Sequence, residues 1–126
     1  MYGLPPYFDR TVFQGKSLFE VGFGIGTIAL RFDAVSTIGK SQALTISICG
    51  HFSYLVGGRA GKGEARTASS GLALTTFLNR EVSEAKQIGR GNLLLRFGAD
   101  EIEIIEDDSG FECYTIYIPR ENPIVV

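Results

Sequence analysis

Apolar and polar positions along most of the chain alternate with the period of two that a half-buried strand requires. Ser17–Ile25 places Phe19, Val21, Phe23 and Ile25 on one face, Gly26-Thr27 turns the chain, and Ile28, Leu30 and Phe32 alternate with Ala29 and Arg31. Leu44, Ile46 and Ile48 alternate with Thr45 and Ser47, and Gly50 marks a bulge or the turn into Phe52–Val56. Glu81–Ile88 then leads through Gly89-Arg90-Gly91-Asn92 to Leu93–Phe97. Glu101–Ile104 alternates cleanly, Asp107-Asp108-Ser109-Gly110 is turn chemistry, and Phe111–Ile118 returns as a strand. Between the two runs, Leu74, Phe77 and Leu78 fall at i, i+3 and i+4, with Ser69 or Ser70 as N-cap and Asn79 as a left-handed C-cap. The pattern predicts a mostly β fold: about eight antiparallel strands in a sandwich or partly open barrel, with one short helix near 71–79. The tail bracketed by Pro119 and Pro123 is a strand exit or an edge segment.

The pattern repeats. Phe13 to Phe32 can be laid on Phe77 to Phe97 with one insertion, at an offset of 64 to 65 residues. Each stretch begins with Phe, passes a turn and a cation (Lys16, Arg80), and ends in Gly-X-hydrophobic-X-Leu-Arg-Phe. The expectation is a single domain of two related four-stranded halves, about 1–66 and 67–126, with Arg31 and Arg96 pointing outward. Gly57 to Arg66, with four glycines in ten residues, reads as a flexible linker between them.

Composition narrows the function classes. The 126 residues are 44% hydrophobic and 21% charged with net charge −2, the balance of one globular domain, and they make no electrostatic case for nucleic acid. One histidine, His51, and two cysteines, Cys49 and Cys113, exclude a structural zinc of the four-Cys or Cys/His type. The cysteines read as reduced small hydrophobes of a cytoplasmic protein. No stretch reaches the ~20 apolar residues of a membrane span, and the N-terminus lacks the pattern of a signal peptide. No cofactor and no metal is expected.

Candidate chemistry is thin. Gly22-Phe-Gly24-Ile-Gly26 has the wrong spacing for a dinucleotide fingerprint and runs into a strand, and Gly57–Gly63 lacks the hydroxyl residue of a phosphate loop. Cys49 and His51 would share a strand face, but i and i+2 side chains stand roughly 7 Å apart unless Gly50 bulges, so no catalytic residue is assigned. Charge is more informative: residues 1–67 carry a net +3 and 68–126 a net −5. Seven acids and no base lie between Phe97 and Pro119. Glu101 and Glu103 should face solvent beside buried Ile102 and Ile104, with Asp107 and Asp108 near the hairpin tip. Such a face is a solvated edge or a docking surface for a basic protein.

The second half, Gly91-Asn-Leu93-Leu-Leu95-Arg-Phe97 followed by alternating Ile102 and Ile104 and then Phe111-Glu112-Cys113-Tyr114, resembles a small bacterial β-rich protein family of unknown function. That family has G-x-L-x-L-x-F and an aromatic-Glu-small-aromatic cluster. The resemblance implies a β-rich intracellular fold, and families of this style include immunity proteins of toxin systems. It implies that Glu112 and Tyr114 are the polar members of the cluster that matter. The leading expectation is therefore a non-enzymatic binding or interaction module, immunity-protein-like, with a basic protein partner, no nucleic acid, no membrane, and a homodimer left open. Its binding residues would be Glu101, Glu103, Asp107, Asp108, Glu112 and Tyr114. The alternative is a small-ligand-binding protein with a pocket between the halves; a hydrolase-type enzyme ranks third.

Overall fold

The alternating segments do fold as strands. The computed structural model describes residues 3–6, 8–34, 43–107 and 111–126. Within them lie ten strands: β1 (Ser17–Gly24), β2 (Thr27–Asp33), β3 (Leu44–Ile48), β4 (His51–Val56), β5 (Arg59–Glu64), β6 (Glu84–Ile88), β7 (Asn92–Phe97), β8 (Asp100–Ile104), β9 (Tyr114–Tyr117) and β10 (Ile124–Val125). They form two five-stranded antiparallel sheets, ordered β1-β2-β3-β9-β10 and β5-β4-β8-β7-β6, and neither closes into a barrel. The mostly β fold expected from the periodicity is present, and its two unclosed sheets fit the sandwich or partly open barrel.

Two strands exceed the expected eight. β10 is the edge segment between the prolines and the chain end, pairing Ile124 with Ile116. β5 replaces the flexible linker, and the reason is the turn before it. Gly57 and Gly58 both take positive φ (58° and 78°), the backbone that lets a two-residue turn match the twist of its flanking strands. The glycines within β5 are packing positions. A Cβ on Gly61 would fall 2.4 Å from the Tyr54 ring, and one on Gly63 would fall 2.6 Å from Phe52 Cζ. Both aromatic side chains lie across the bare strand.

β1 departs from its expected face at one point. The register slips between Leu18 and Glu20, so Phe19 is the extra residue of a bulge and Leu18 enters the core instead. Ile25 sits fully exposed at the hairpin tip and Phe23 stays 39% exposed at the sheet margin. The helix near 71–79 is a 3-10 segment, Ala68–Phe77, burying Leu74 and Phe77. Thr67 stands at its N-cap without a capping side-chain bond, its hydroxyl donating instead to Glu64 Oε1 (3.3 Å), while Ser70 Oγ donates to the Thr67 carbonyl (2.7 Å) and accepts from Glu64 N–H (3.0 Å). Asn79 takes the left-handed φ of 67° expected of it.

The two sheets do not correspond to the two halves of the sequence. β1–β3 form a meander in one sheet, after which β4 and β5 cross to the other; β6–β8 form a meander there, after which β9 and β10 cross back. β4 therefore pairs with β8, and β3 with β9. Backbone hydrogen bonds around the starts of the meanders recur 64 residues on. Lys16 N–H donates to Phe13 O (3.2 Å) as Arg80 N–H does to Phe77 O (3.1 Å). Leu18 N–H donates to Arg80 O (3.0 Å) while Val82 N–H donates to Lys16 O (2.9 Å), and Gly15 N–H to Val82 O (3.0 Å) while Asn79 N–H donates to Leu18 O (2.7 Å). Ser17 bridges Glu81 at the middle of this exchange. Gly15 and Asn79 share the left-handed conformation.

One hydrophobic cluster serves both sheets, including Leu30, Phe32, Ile46 and Ile48 from one and Phe52, Leu95, Phe97, Ile102 and Ile104 from the other. Phe13 meets Phe32 edge-on at 5.6 Å, and Phe77 meets Phe97 at 4.9 Å. Of the two arginines expected to point outward, Arg31 is exposed and pairs with Glu20 (2.7 Å). Arg96 is half-buried, and its Nε is enclosed without a hydrogen-bond partner.

Candidate functional site

The acids of the second half are distributed differently from a continuous negative face. Ile102 and Ile104 are buried and Glu101 and Glu103 half-buried on the opposite side of β8, the register expected. Glu101 is the cross-strand neighbour of Arg96, which also faces Glu84. Glu103 accepts a bond from Asn92 Nδ2 (2.8 Å). Arg80 donates to Asp100 Oδ2 (2.7 Å), and this bond, with a second from Gly57 N–H, holds the Asp100 carboxyl below its ordinary range. Glu106, with its side chain 7% exposed, accepts from Arg90 Nε (3.0 Å) and Gly3 N–H (2.7 Å). Cations and donors thus answer the carboxylates on the sheet itself.

Negative charge instead gathers where the two crossovers meet. Cys49 and Gly50 connect β3 to β4, residues after Ile104 lead to β9, and the two paths touch. Cys49 N–H (2.9 Å) and Gly50 N–H (3.0 Å) both donate to the Cys113 carbonyl, a two-against-one β-bulge, and Ile105 N–H donates to His51 O (3.1 Å). A cleft of about 240 Å³ opens here. Its walls are Cys49, Gly50, His51, Glu64 and Arg66 from the first half and Asp107, Phe111 and Glu112 from the second.

His51 stands at its centre. As the first residue of β4 it lies directly opposite Glu64, the last of β5, with Nε2 3.3 Å from Glu64 Oε2. Its Nδ1 is 3.5 Å from Asp107 Oδ2. A protonated imidazole can donate to both carboxylates and a neutral one to only one of them. With both nitrogens turned to carboxylates, the ring is not arranged to activate the Cys49 thiol, despite the bulge that brings them into one cleft. Burial, followed by the nearby Glu112 carboxylate, pushes the Cys49 thiol above its ordinary value, the opposite of an activated nucleophile. Cys113 is buried; its sulfur accepts from Asp107 N–H (3.4 Å) and donates toward Asp107 Oδ1 (3.7 Å) and Phe111 O (3.5 Å). Thr115 Oγ1 donates to Glu112 Oε1. Among the described residues no group of three or more His, Cys, Asp or Glu is placed to hold a metal ion.

Of the six residues singled out from sequence, Asp107 and Glu112 reach this cleft, while Glu101 and Glu103 stay on the sheet. Asp108 lies outside the described residues. Tyr114 is a core residue: fully buried, it donates its hydroxyl to Gly91 O (2.6 Å), and burial drives its phenol far above the ordinary value. Glu64, Arg66 and Phe111 were missed. The signal for Glu64 was present: a two-residue Gly57-Gly58 turn fixes the hairpin register and sets His51 against Glu64. No family model, curated protein or solved structure matches the chain.

Proposed function

We propose that this chain is a non-enzymatic interaction module of the bacterial cytoplasm, and that it receives a cationic side chain of a basic protein partner in the cleft between its halves. The observation that carries the reading is the cleft's charge: Glu64 and Asp107 flank His51, Glu112 lines the same cleft, and among the described lining residues Arg66 is the one Lys or Arg set against these three carboxylates. Phe111, 78% exposed at the rim, offers an aromatic face to a lysine or arginine. Size favours a side chain over a cofactor, since 240 Å³ lies below the ~300–1,000 Å³ of sites that enclose drug-sized ligands. The small-ligand reading keeps one specific support, the placement of this cleft between the halves. The immunity-like reading rests on the family resemblance alone. The hydrogen bonds recurring 64 residues apart, and the exchange of hairpins between sheets, support an internal duplication as the origin of the cleft.

The test is a titration of the labelled protein with two short peptides of equal length, one arginine-rich and one glutamate-rich, followed by amide resonances. The arginine peptide should shift His51, Glu64 and Glu112 saturably, and less so as salt is raised. Glu112→Gln combined with Asp107→Asn should weaken the shifts, whereas Glu101→Gln combined with Glu103→Gln should not. Equal shifts with both peptides, or shifts confined to β8, refute the reading.

A further inference from the structure

Cys49 and Cys113 are sequence-distant, both are free thiols, and their backbones meet across the seam where the two crossovers touch. The pairing of β3 with β9 ends at Ile48 opposite Tyr114, and beyond it the bulge sets Cys49 and Gly50 together against Cys113. The shared acceptance of Cys49 N–H and Gly50 N–H by the Cys113 carbonyl confirms that the backbones remain in contact there. A Cβ placed on Gly50 would lie 3.6 Å from Cys113 Cα, which gives the closeness of approach. Directly opposed antiparallel residues have Cα atoms about 4.5–5.5 Å apart, inside the roughly 4.4–6.8 Å that a disulfide spans. Access is unequal. Cys49 is partly exposed on the wall of the cleft, whereas Cys113 is 1% exposed beneath Asp107 and Phe111.

We propose that Cys49 and Cys113 are a redox-modification site, which closes to an intramolecular disulfide by exchange with a low-molecular-weight disulfide of the glutathione type. The Cys49 thiolate, supplied by mildly alkaline pH and not by an activating neighbour, attacks one sulfur of the small disulfide; that S–S bond breaks, one thiol departs, and Cys49 carries the other half. The Cys113 thiolate then attacks the Cys49 sulfur, forming the protein disulfide and releasing the second small thiol. Two protein thiols are oxidised, one small disulfide is reduced to two thiols, and the two protein protons end on those products. Closure removes the S–H that Cys113 directs at Asp107 and Phe111, and so alters the wall of the cleft whatever the cleft binds.

The experiment treats the native chain with oxidised glutathione at mildly alkaline pH, blocks remaining thiols with iodoacetamide, and reads intact mass and tryptic peptides. The expected product is two hydrogens lighter than the reduced protein, with the peptide ending at Arg59 joined to that ending at Arg120, and dithiothreitol reverses it. Cys113→Ser should stop at a glutathione adduct on Cys49, and Cys49→Ser should form no disulfide within the chain. The wild-type measurement decides the matter even if a variant fails to fold. Accumulation of the Cys49 adduct with Cys113 still alkylatable, cross-linking between chains, or a protein that stays reduced each overturns the proposal.

Discussion

Phe32 and Phe97 lie at matching positions near the ends of β2 and β7, the middle strands of the two meanders, and truncating each to alanine tests whether they carry matching loads. Phe32 is fully buried with Phe13 edge-on at 5.6 Å, and Phe97 is 2% exposed against Phe77 at 4.9 Å. Removing a buried phenyl ring forfeits ~1.5–3 kcal/mol of transfer free energy. The lost aromatic pair adds ~0.5–1.5 kcal/mol. Strands on either side of each ring hold the cavity open, so the full cost should reach ~3–5 kcal/mol. A domain of this kind is stable by about 5–15 kcal/mol, so either change removes a large share. Urea unfolding followed by far-ultraviolet circular dichroism measures the loss as a fall in midpoint at constant slope. If either variant is unfolded without denaturant, Phe→Leu at the same site keeps part of the apolar volume and brings the loss into range. A cost below ~1 kcal/mol at either position, or a twofold disparity between them, would falsify the equivalence drawn from the recurring hydrogen bonds.

Gly61→Val should destabilise by roughly 1–3 kcal/mol, because its Cβ would meet the Tyr54 ring at 2.4 Å and force the ring off strand β5; the same urea assay reads it, and a neutral result would show that Tyr54 moves freely. The Arg80 bond depresses the Asp100 carboxyl, so its contribution is present above the unfolded-state value and is lost as pH falls through the folded one. Asp100→Asn should therefore be less stable than wild type at neutral pH and converge with it in strong acid, as thermal melts across the acid range will show. Burial is the larger influence that raises the Cys49 thiol and the Glu112 carboxylate the next, so Glu112→Gln should speed alkylation of Cys49 by iodoacetamide at neutral pH; an unchanged rate would show that the Glu112 charge contributes nothing.

Features that depend on near neighbours are legible in the chain alone. Alternation at Leu30-Arg31-Phe32 and at Ile102-Glu103-Ile104 fixed which side chains enter the core, because a one-residue slip would expose every apolar group and bury the charges. The repeated Leu-Arg-Phe, and the left-handed backbone that Asn79 supplies where Gly15 stands in the first half, were legible in the same way. A two-residue glycine turn likewise contained the His51–Glu64 pairing, although the glycines of β5 disguised the strand by offering no side chain to show a period. Which strand lies beside which emerges only from the packing of the whole molecule. Alternation is the same whether β4 pairs with β3 or with β8, so nothing local announced that each half gives its last hairpin to the other's sheet. That exchange takes Tyr114 into the core, where Gly91 O receives its hydroxyl, and leaves its neighbour Glu112 on the surface. It also carries Asp107 and Glu112 across to His51, more than fifty residues away in the chain, and seats Cys49 against Cys113. Contacts at such separations are chosen by how well two whole sheets cover one core, a sum over many side chains that no single stretch of sequence contains.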